Sequence, residues 1–188
     1  MCKINESNDK ISSGREEILL KINTDVLEKL RKFANVEGTS LEIEINKLLL
    51  QDVDWDILAS KAGWIPMPKF VLIAFFEHIS ELTILEIART NKNIVKDMVL
   101  TMRGEYNLKE LIKILRARSK AAGFNYIEHE EKNKTHIVMQ HNMGLKWSKY
   151  FKVLHEMAIE ELNVDIEVIA TENAITYTIN KTISSINK

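Results

Sequence analysis

One cysteine, Cys2, is present in 188 residues, which excludes an internal disulfide framework and any CxxC metal site. Proline is nearly as scarce. Pro66 and Pro68 stand one residue apart, so the strongest bar to helix continuation acts at a single place. An excess of one charge is also lacking. Lys and Arg number 26 against 27 Asp and Glu, a net charge of -1, so there is no global field and any nucleic-acid contact must rest on a local patch. A run of about 20 apolar residues and a secretory leader are both missing, so the expectation is a cytoplasmic protein with no membrane partner. The remaining composition is ordinary for a globular chain: 45% hydrophobic and 28% charged residues, enough for a sizeable core in one or two domains.

Catalytic signatures are absent as well. No GxSxG, Walker loop or GxGxxG occurs, and no Ser, His and Asp fall in a triad order. The histidines His78, His129, His136, His141 and His155 form no HExxH motif, no His-x-His pair and no His-plus-Cys set. His129 and His136 flank one hairpin beside Glu128 and Glu130, which is a weak ligand set. No carboxylate stands alone in an apolar run, the pattern that raises a pKa for acid–base work. The expectation is therefore no catalytic residue, no metal and no cofactor: a protein that is not an enzyme.

The best-patterned stretch is Glu17 to Val53, EILLKINTDVLEKLRKFANVEGTSLEIEINKLLLQDV. Apolar residues alternate at Ile18, Leu20 and Ile22 and then recur at helical spacing (Val26, Leu27, Leu30, Phe33, Ala34). They break at Gly38 and resume at Leu41, Ile45, Leu48 and Leu49. This pattern predicts a strand, a helix opened at Asn23 or Thr24, a glycine-capped turn and a second helix opened by the capping box Thr39-Ser40-Leu41-Glu42. So short a unit cannot bury its own apolar face, so it should dimerise.

The segment resembles the ribbon-helix-helix DNA-binding fold, in which two copies pair their strands into a ribbon that enters the major groove. The resemblance covers about a fifth of the chain. It implies a homodimer with Ile18, Leu20 and Ile22 facing the core and Glu17, Leu19 and Lys21 facing double-stranded DNA. Lys21 supplies the best groove donor, Leu19 an apolar contact for a thymine methyl, and Glu17 an acceptor for a cytosine amino group. The amides of Thr39 and Ser40 would meet a phosphate, and Arg15 and Lys10 would support backbone contacts. Glu16, Glu17, Glu42 and Glu44 oppose phosphate. The ribbon then either reads DNA or serves solely to hold two copies together.

Around this module the expected organisation is a flexible arm at 1–14, the module at 15–53, a helical domain at 54–104, an α+β domain at 105–181 and a tail at 182–188. A short helix begins at Asp54 and stops at Gly63-Trp64-Ile65-Pro66-Met67-Pro68. Lys69 to Ile79 is apolar nearly all round, hence buried on more than one side. Thr83-Ile84-Leu85-Glu86 reads as a capping box for the next helix, and Ile94 to Met102 follows, ending near Gly104. Trp55, Trp64, Met67, Phe70, Phe75, Phe76, Met98 and Met102 either line a small-molecule pocket or form core.

The last third is duplicated as helix-strand-strand, twice. Asn107-Leu108-Lys109-Glu110 opens a helix to Ala122, with strands at Phe124 to Glu130 and Thr135 to His141. Trp147 opens the second helix to Leu162, with strands at Val164 to Ala170 and Ala174 to Ile179. The predicted fold is α+β, a four-stranded, mainly antiparallel sheet with both helices on one face. The other face, with Asp165, Glu167, Thr176 and Thr178, is either solvated or receives a partner.

Between the halves lies HNMGLKWS. His141, Asn142, Gly144, Lys146 and Ser148 are the candidate ligand or anion corner, with helix N–H groups and Lys146 as donors. The alternative is structural: Gly144 supplies φ > 0, Trp147 plugs the junction and Ser148 caps. The run resembles a short element of uncharacterised prokaryotic, especially archaeal, proteins, and that resemblance implies no activity. Lys109, Lys113, Arg116 and Lys120 share one helix face, as either a phosphate-tracking stripe or a solvated surface. The sequence thus favours a homodimeric DNA-binding transcriptional regulator with a C-terminal sensor for a small-molecule or protein effector. The alternative is a ligand-binding or interaction protein that keeps the ribbon for dimerisation.

Overall fold

The computed structural model describes residues 17–180. The expected arm and tail, with Cys2, Lys10 and Arg15, lie outside the described residues. The chain divides into two compact units, one ending at Ile45 and one beginning at Asn46.

In the first unit, residues 17–23 are neither helix nor strand, although a ribbon strand is expected there. A strand needs a neighbouring strand for its N–H and C=O groups, and among the described residues none pairs with this segment. Ile18 and Leu20, expected to face a core, are exposed. Helix α1 spans Thr24–Glu37 and ends where Gly38 takes φ 65°. The Gly38 amide donates to Asn35 O and the Thr39 amide to Ala34 O, the paired closure that a left-handed residue permits. Helix α2 (Leu41–Gln51) opens one residue later than the expected box: Ser40, not Thr39, is the cap, accepting from the Ile43 amide at 3.2 Å. The Thr39 hydroxyl instead donates to the Glu44 carboxylate, which is buried.

The helix does not stop at Val53. It continues through a π segment, Asp52–Asp56, into α3 (Ile57–Lys61), so the expected boundary at 53/54 falls within unbroken helical residues. In the π turn the Ile57 amide reaches back to Asp52 O, admitting one extra residue while keeping Trp55 and Ala59 both buried. After the two prolines come α4 (Lys69–His78), α5 (Glu81–Thr90) and α6 (Ile94–Arg103). Helix α5 begins before the expected box. Ser80 caps it by accepting from the Thr83 amide at 3.1 Å, and the two hydroxyls pair at 2.8 Å.

The C-terminal part is α+β as expected. Helix α7 (Leu108–Ala121), capped by Asn107, leads into β1 (Asn125–Glu130) and β2 (Lys134–Gln140). Helix α8 (Leu145–Glu160) leads into β3 (Ile166–Ala170) and β4 (Ala174–Asn180). Every pairing is antiparallel, in the order β1-β2-β4-β3, so the two hairpins meet along β2 and β4. The amides of His141 and Asn142 both donate to Asn173 O, tying the two halves together beyond the strands.

One sheet face is covered by α7 and α8. Ile137, Met139, Val168, Ile175, Tyr177 and Ile179 point into this layer and are buried. Helices α4, α5 and α6 pack on the outside of α8. The second sheet face carries a row Ile127, Val138, Thr176 and Ile169 across all four strands, with both isoleucines exposed. Helix layer, helix pair and sheet thus form three layers, and the cavity described next lies under the outer one.

Candidate functional site: an aromatic cavity around Arg118

Helix α7 shows how the cavity acquires its charge. Leu111, Ile114 and Leu115 are buried at the spacing of one helix face, and the next position on that stripe is Arg118. An arginine stands where the pattern calls for an apolar residue. Its guanidinium lies against ring faces: the central carbon is 4.1 Å from the Phe151 centroid, 4.9 Å from Trp64 and 5.9 Å from Trp147. Among the described residues no hydrogen bond or ion pair engages it, and it is half-buried, so its N–H groups open onto the cavity. Burial pulls its pKa down to about 10, so it remains a cation at neutral pH.

The cavity has a volume of about 770 Å³, within the range of roughly 300–1,000 Å³ usual for small-molecule sites. The π segment and α3 form one wall, residues 64–67 and α4 a second, and α8 with the end of α7 the floor. All three tryptophans of the chain, Trp55, Trp64 and Trp147, line it. Of the aromatic and methionine set singled out in the sequence, Trp55, Trp64, Met67 and Phe76 reach the cavity. Met98 and Met102 belong to the core, and Phe70 and Phe75 are exposed. Lys69 is a second cation on the wall, its ammonium 5.8 Å from the Phe124 centroid. The acid on the wall is Asp56, which accepts from the Gln51 amide at 3.2 Å.

The His141 corner lies beside this floor and is internally satisfied. His141 is fully buried; its Nδ1 accepts from the Met143 amide at 2.9 Å and its Nε2 stands 2.9 Å from Ser148 Oγ. Burial, followed by the nearby Lys69 charge, lowers its pKa to about 4, so the ring is neutral. With Nδ1 accepting, the proton is on Nε2, and Ser148 Oγ accepts it and faces Gly144 O at 3.3 Å. Helix α8 begins at Leu145, two residues before the expected start, so Ser148 lies inside the first turn and is not its cap. Gly144 has φ 88°, the conformation expected of it, and Trp147 is buried against Phe124, His141 and Phe151. Lys146 turns away from the corner and donates to Glu77 O and Ile79 O at the end of α4. Asn142 is exposed, with φ 53°.

Deeper under α8, Tyr177 Oη and His155 Nδ1 share a hydrogen bond. Burial, then the Arg118 charge, lowers His155 to about 3, and burial raises Tyr177. On the open sheet face His129 and His136 are direct cross-strand partners, with Glu131 Oε1 4.0 and 3.8 Å from their Nε2 atoms. Among the described residues no group of three or more His, Cys, Asp or Glu could hold a metal ion, and no helix is long and apolar enough to cross a membrane.

Of the expected DNA-facing residues, Glu17, Leu19 and Lys21 are exposed and lie outside any helix or strand. The Thr39 amide and hydroxyl and the Ser40 hydroxyl are all engaged locally. The basic face of α7 borders a second hollow of about 630 Å³, where Lys113, Arg116 and Lys120 join Lys47 and Arg103. Lys113 pairs with Glu110 and Arg116 with Glu128, so part of this charge is neutralised.

The fold and the cavity define an α+β unit with a helical layer over a helix-covered antiparallel sheet. No protein-family model matches the chain, and no curated protein matches it.

Proposed function

We propose that the protein is a homodimeric, ligand-responsive DNA-binding regulator, not an enzyme, in which the unit from Asn46 onward is the receptor and the N-terminal module the output. The observation that carries the receptor role is the aromatic cavity with an unpartnered arginine in its floor. A cavity of this size, lined by rings around one convergent cation, has the make-up of a small-molecule site. The output role rests on the helix, glycine turn and helix of α1 and α2, together with the resemblance of residues 17–53 to the ribbon-helix-helix fold. Helix α2 starts in the first unit, and the π segment that follows it supplies Trp55 to the cavity wall. Occupancy of the cavity thereby acts on residues contiguous with the output module.

Purified protein titrated against a pool of genomic DNA fragments at low and at physiological salt tests the output. Selective recovery that survives physiological salt and drops about tenfold with Lys21→Ala is the expected result. Recovery at low salt alone, without sequence enrichment, removes DNA from the function. The second reading, a ligand-binding dimer whose N-terminal module serves assembly alone, is favoured by one observation: of the two amides proposed for phosphate, that of Thr39 is already committed to Ala34 O.

A further inference from the structure

We infer that the cavity's ligand is an amphipathic organic carboxylate, its anionic head on Arg118 and its apolar body between residues 64–67, α4 and α8. The inference deepens the receptor reading and rests on it.

The head group follows from what Arg118 lacks. A guanidinium presents five N–H donors in a planar fork. Here the fork meets ring faces at 4.1 to 5.9 Å and, among the described residues, no acceptor. Ring faces stabilise the charge but leave the in-plane N–H groups open. A carboxylate fits that edge with two parallel hydrogen bonds and pairs the charge.

The sign of the ligand follows from the wall. Arg118 and Lys69 oppose one acid, Asp56, already held by Gln51. The aromatic lining alone resembles a cage for a quaternary ammonium, in which cations lie over ring faces. Arg118 already lies over three of those rings, so a cationic ligand meets a fixed like charge. The body follows from the remaining lining, which is largely apolar: the side chains of Ile65, Met67, Leu72 and Phe76 carry no hydrogen-bonding group. A volume of about 770 Å³ exceeds what a simple inorganic anion needs, so the anion must bring an apolar body with it.

The test uses two matched probe series on the full-length protein, each with one body and three heads: 4-phenylbutyrate, 4-phenylbutyramide and 4-phenylbutylamine, and decanoate, decanamide and decylamine. Binding is read by calorimetry and by tryptophan emission, since all three tryptophans line the cavity. In at least one series the carboxylate is expected to bind tenfold or more tighter than the amide, and the amine not at all. Arg118→Met should bring carboxylate and amide to equal affinity with an unchanged circular dichroism spectrum, and Arg118→Lys should retain part of the preference. Equal binding of all heads, preference for the amine, or an unaltered carboxylate preference in a folded Arg118→Met protein overturns the carboxylate assignment and leaves the receptor reading standing. Failure of every probe to bind at millimolar concentration overturns both. Should Arg118→Met not fold, the comparison of heads in the wild-type protein decides alone.

Discussion

The lone pair of His141 Nδ1 is taken by the Met143 amide, so the ring nitrogen facing Ser148 is the one that carries the proton. A histidine in that tautomer cannot withdraw the serine proton, and the pair holds the corner together without activating a nucleophile. Its cost appears in acid. His141 titrates near 4 and His155 near 3, both below the usual 6.5. Between those values and 6.5 the unfolded chain binds protons that the folded chain does not, so stability is complete above pH 6.5 and falls as the pH drops below it. At pH 5 each histidine should have removed on the order of 2 kcal/mol relative to pH 8. Urea midpoints measured across pH 4.5 to 8 check this. Replacing His155 by Gln should flatten the acid limb, and an unchanged slope would exclude that histidine as its origin. The same scale shows what the sequence disclosed and what it did not. Gly144 and Trp147 were readable because a positive φ and a junction plug have local signatures. Arg118 was readable only as one more basic residue of a charged helix. Its meaning lies in its phase, on the stripe of Leu111, Ile114 and Leu115, and in the rings that the segment at Trp64 and helix α8 bring to it.

Helix starts illustrate the limits of pattern at the scale of elements. Helix α7 opens at Asn107 as its sequence says, with the side chain accepting from the Glu110 amide at 3.0 Å. Helices α2 and α5 each offer two hydroxyl residues, Thr39 or Ser40 and Ser80 or Thr83, and the box pattern selects the wrong one in both, because a Glu at the third position is helpful but not required. Ser80→Ala should therefore cost about 1 kcal/mol, and Thr83→Ala clearly less, in urea unfolding; the reverse order would restore Thr83 as the cap. Helix α4 has a different dependence. Nearly all-apolar and followed directly by the extended residue Ile79, it has its C-terminal carbonyls capped by Lys146 from α8, at 2.9 and 2.8 Å. This long-range cap holds one cavity wall against the floor, and no local pattern announces it. Lys146→Met should destabilise the protein by about 1–2 kcal/mol and speed amide exchange selectively at the end of α4. Uniform exchange across the unit would show that the contact does not anchor that helix.

For the whole molecule, the α+β duplication and both hairpins were legible because helix-strand-strand repeats with strong periodicity at close range. The division inside α2 was not, since a helix that runs from one unit into the next leaves no composition shift at the boundary. Assembly is the remaining question, and the first unit makes it testable. Leu19 is 95% exposed and Leu20 56% exposed in the single chain. Were association driven by general stickiness of this segment, the more exposed Leu19 would matter more. A paired ribbon reverses the order, because successive strand residues face opposite sides and Leu20 shares the parity of Ile18 and Ile22. Leu20→Asp should thus weaken dimerisation at least tenfold in sedimentation velocity, consistent with about 2 kcal/mol for each leucine removed from an interface, while Leu19→Asp leaves it within a factor of two. Equal effects of the two substitutions, or a wild-type chain that stays monomeric at high micromolar concentration, would eliminate the ribbon. In that event the exposed apolar residues of α1 and α2, Phe33 and Val36 among them, would need another cover.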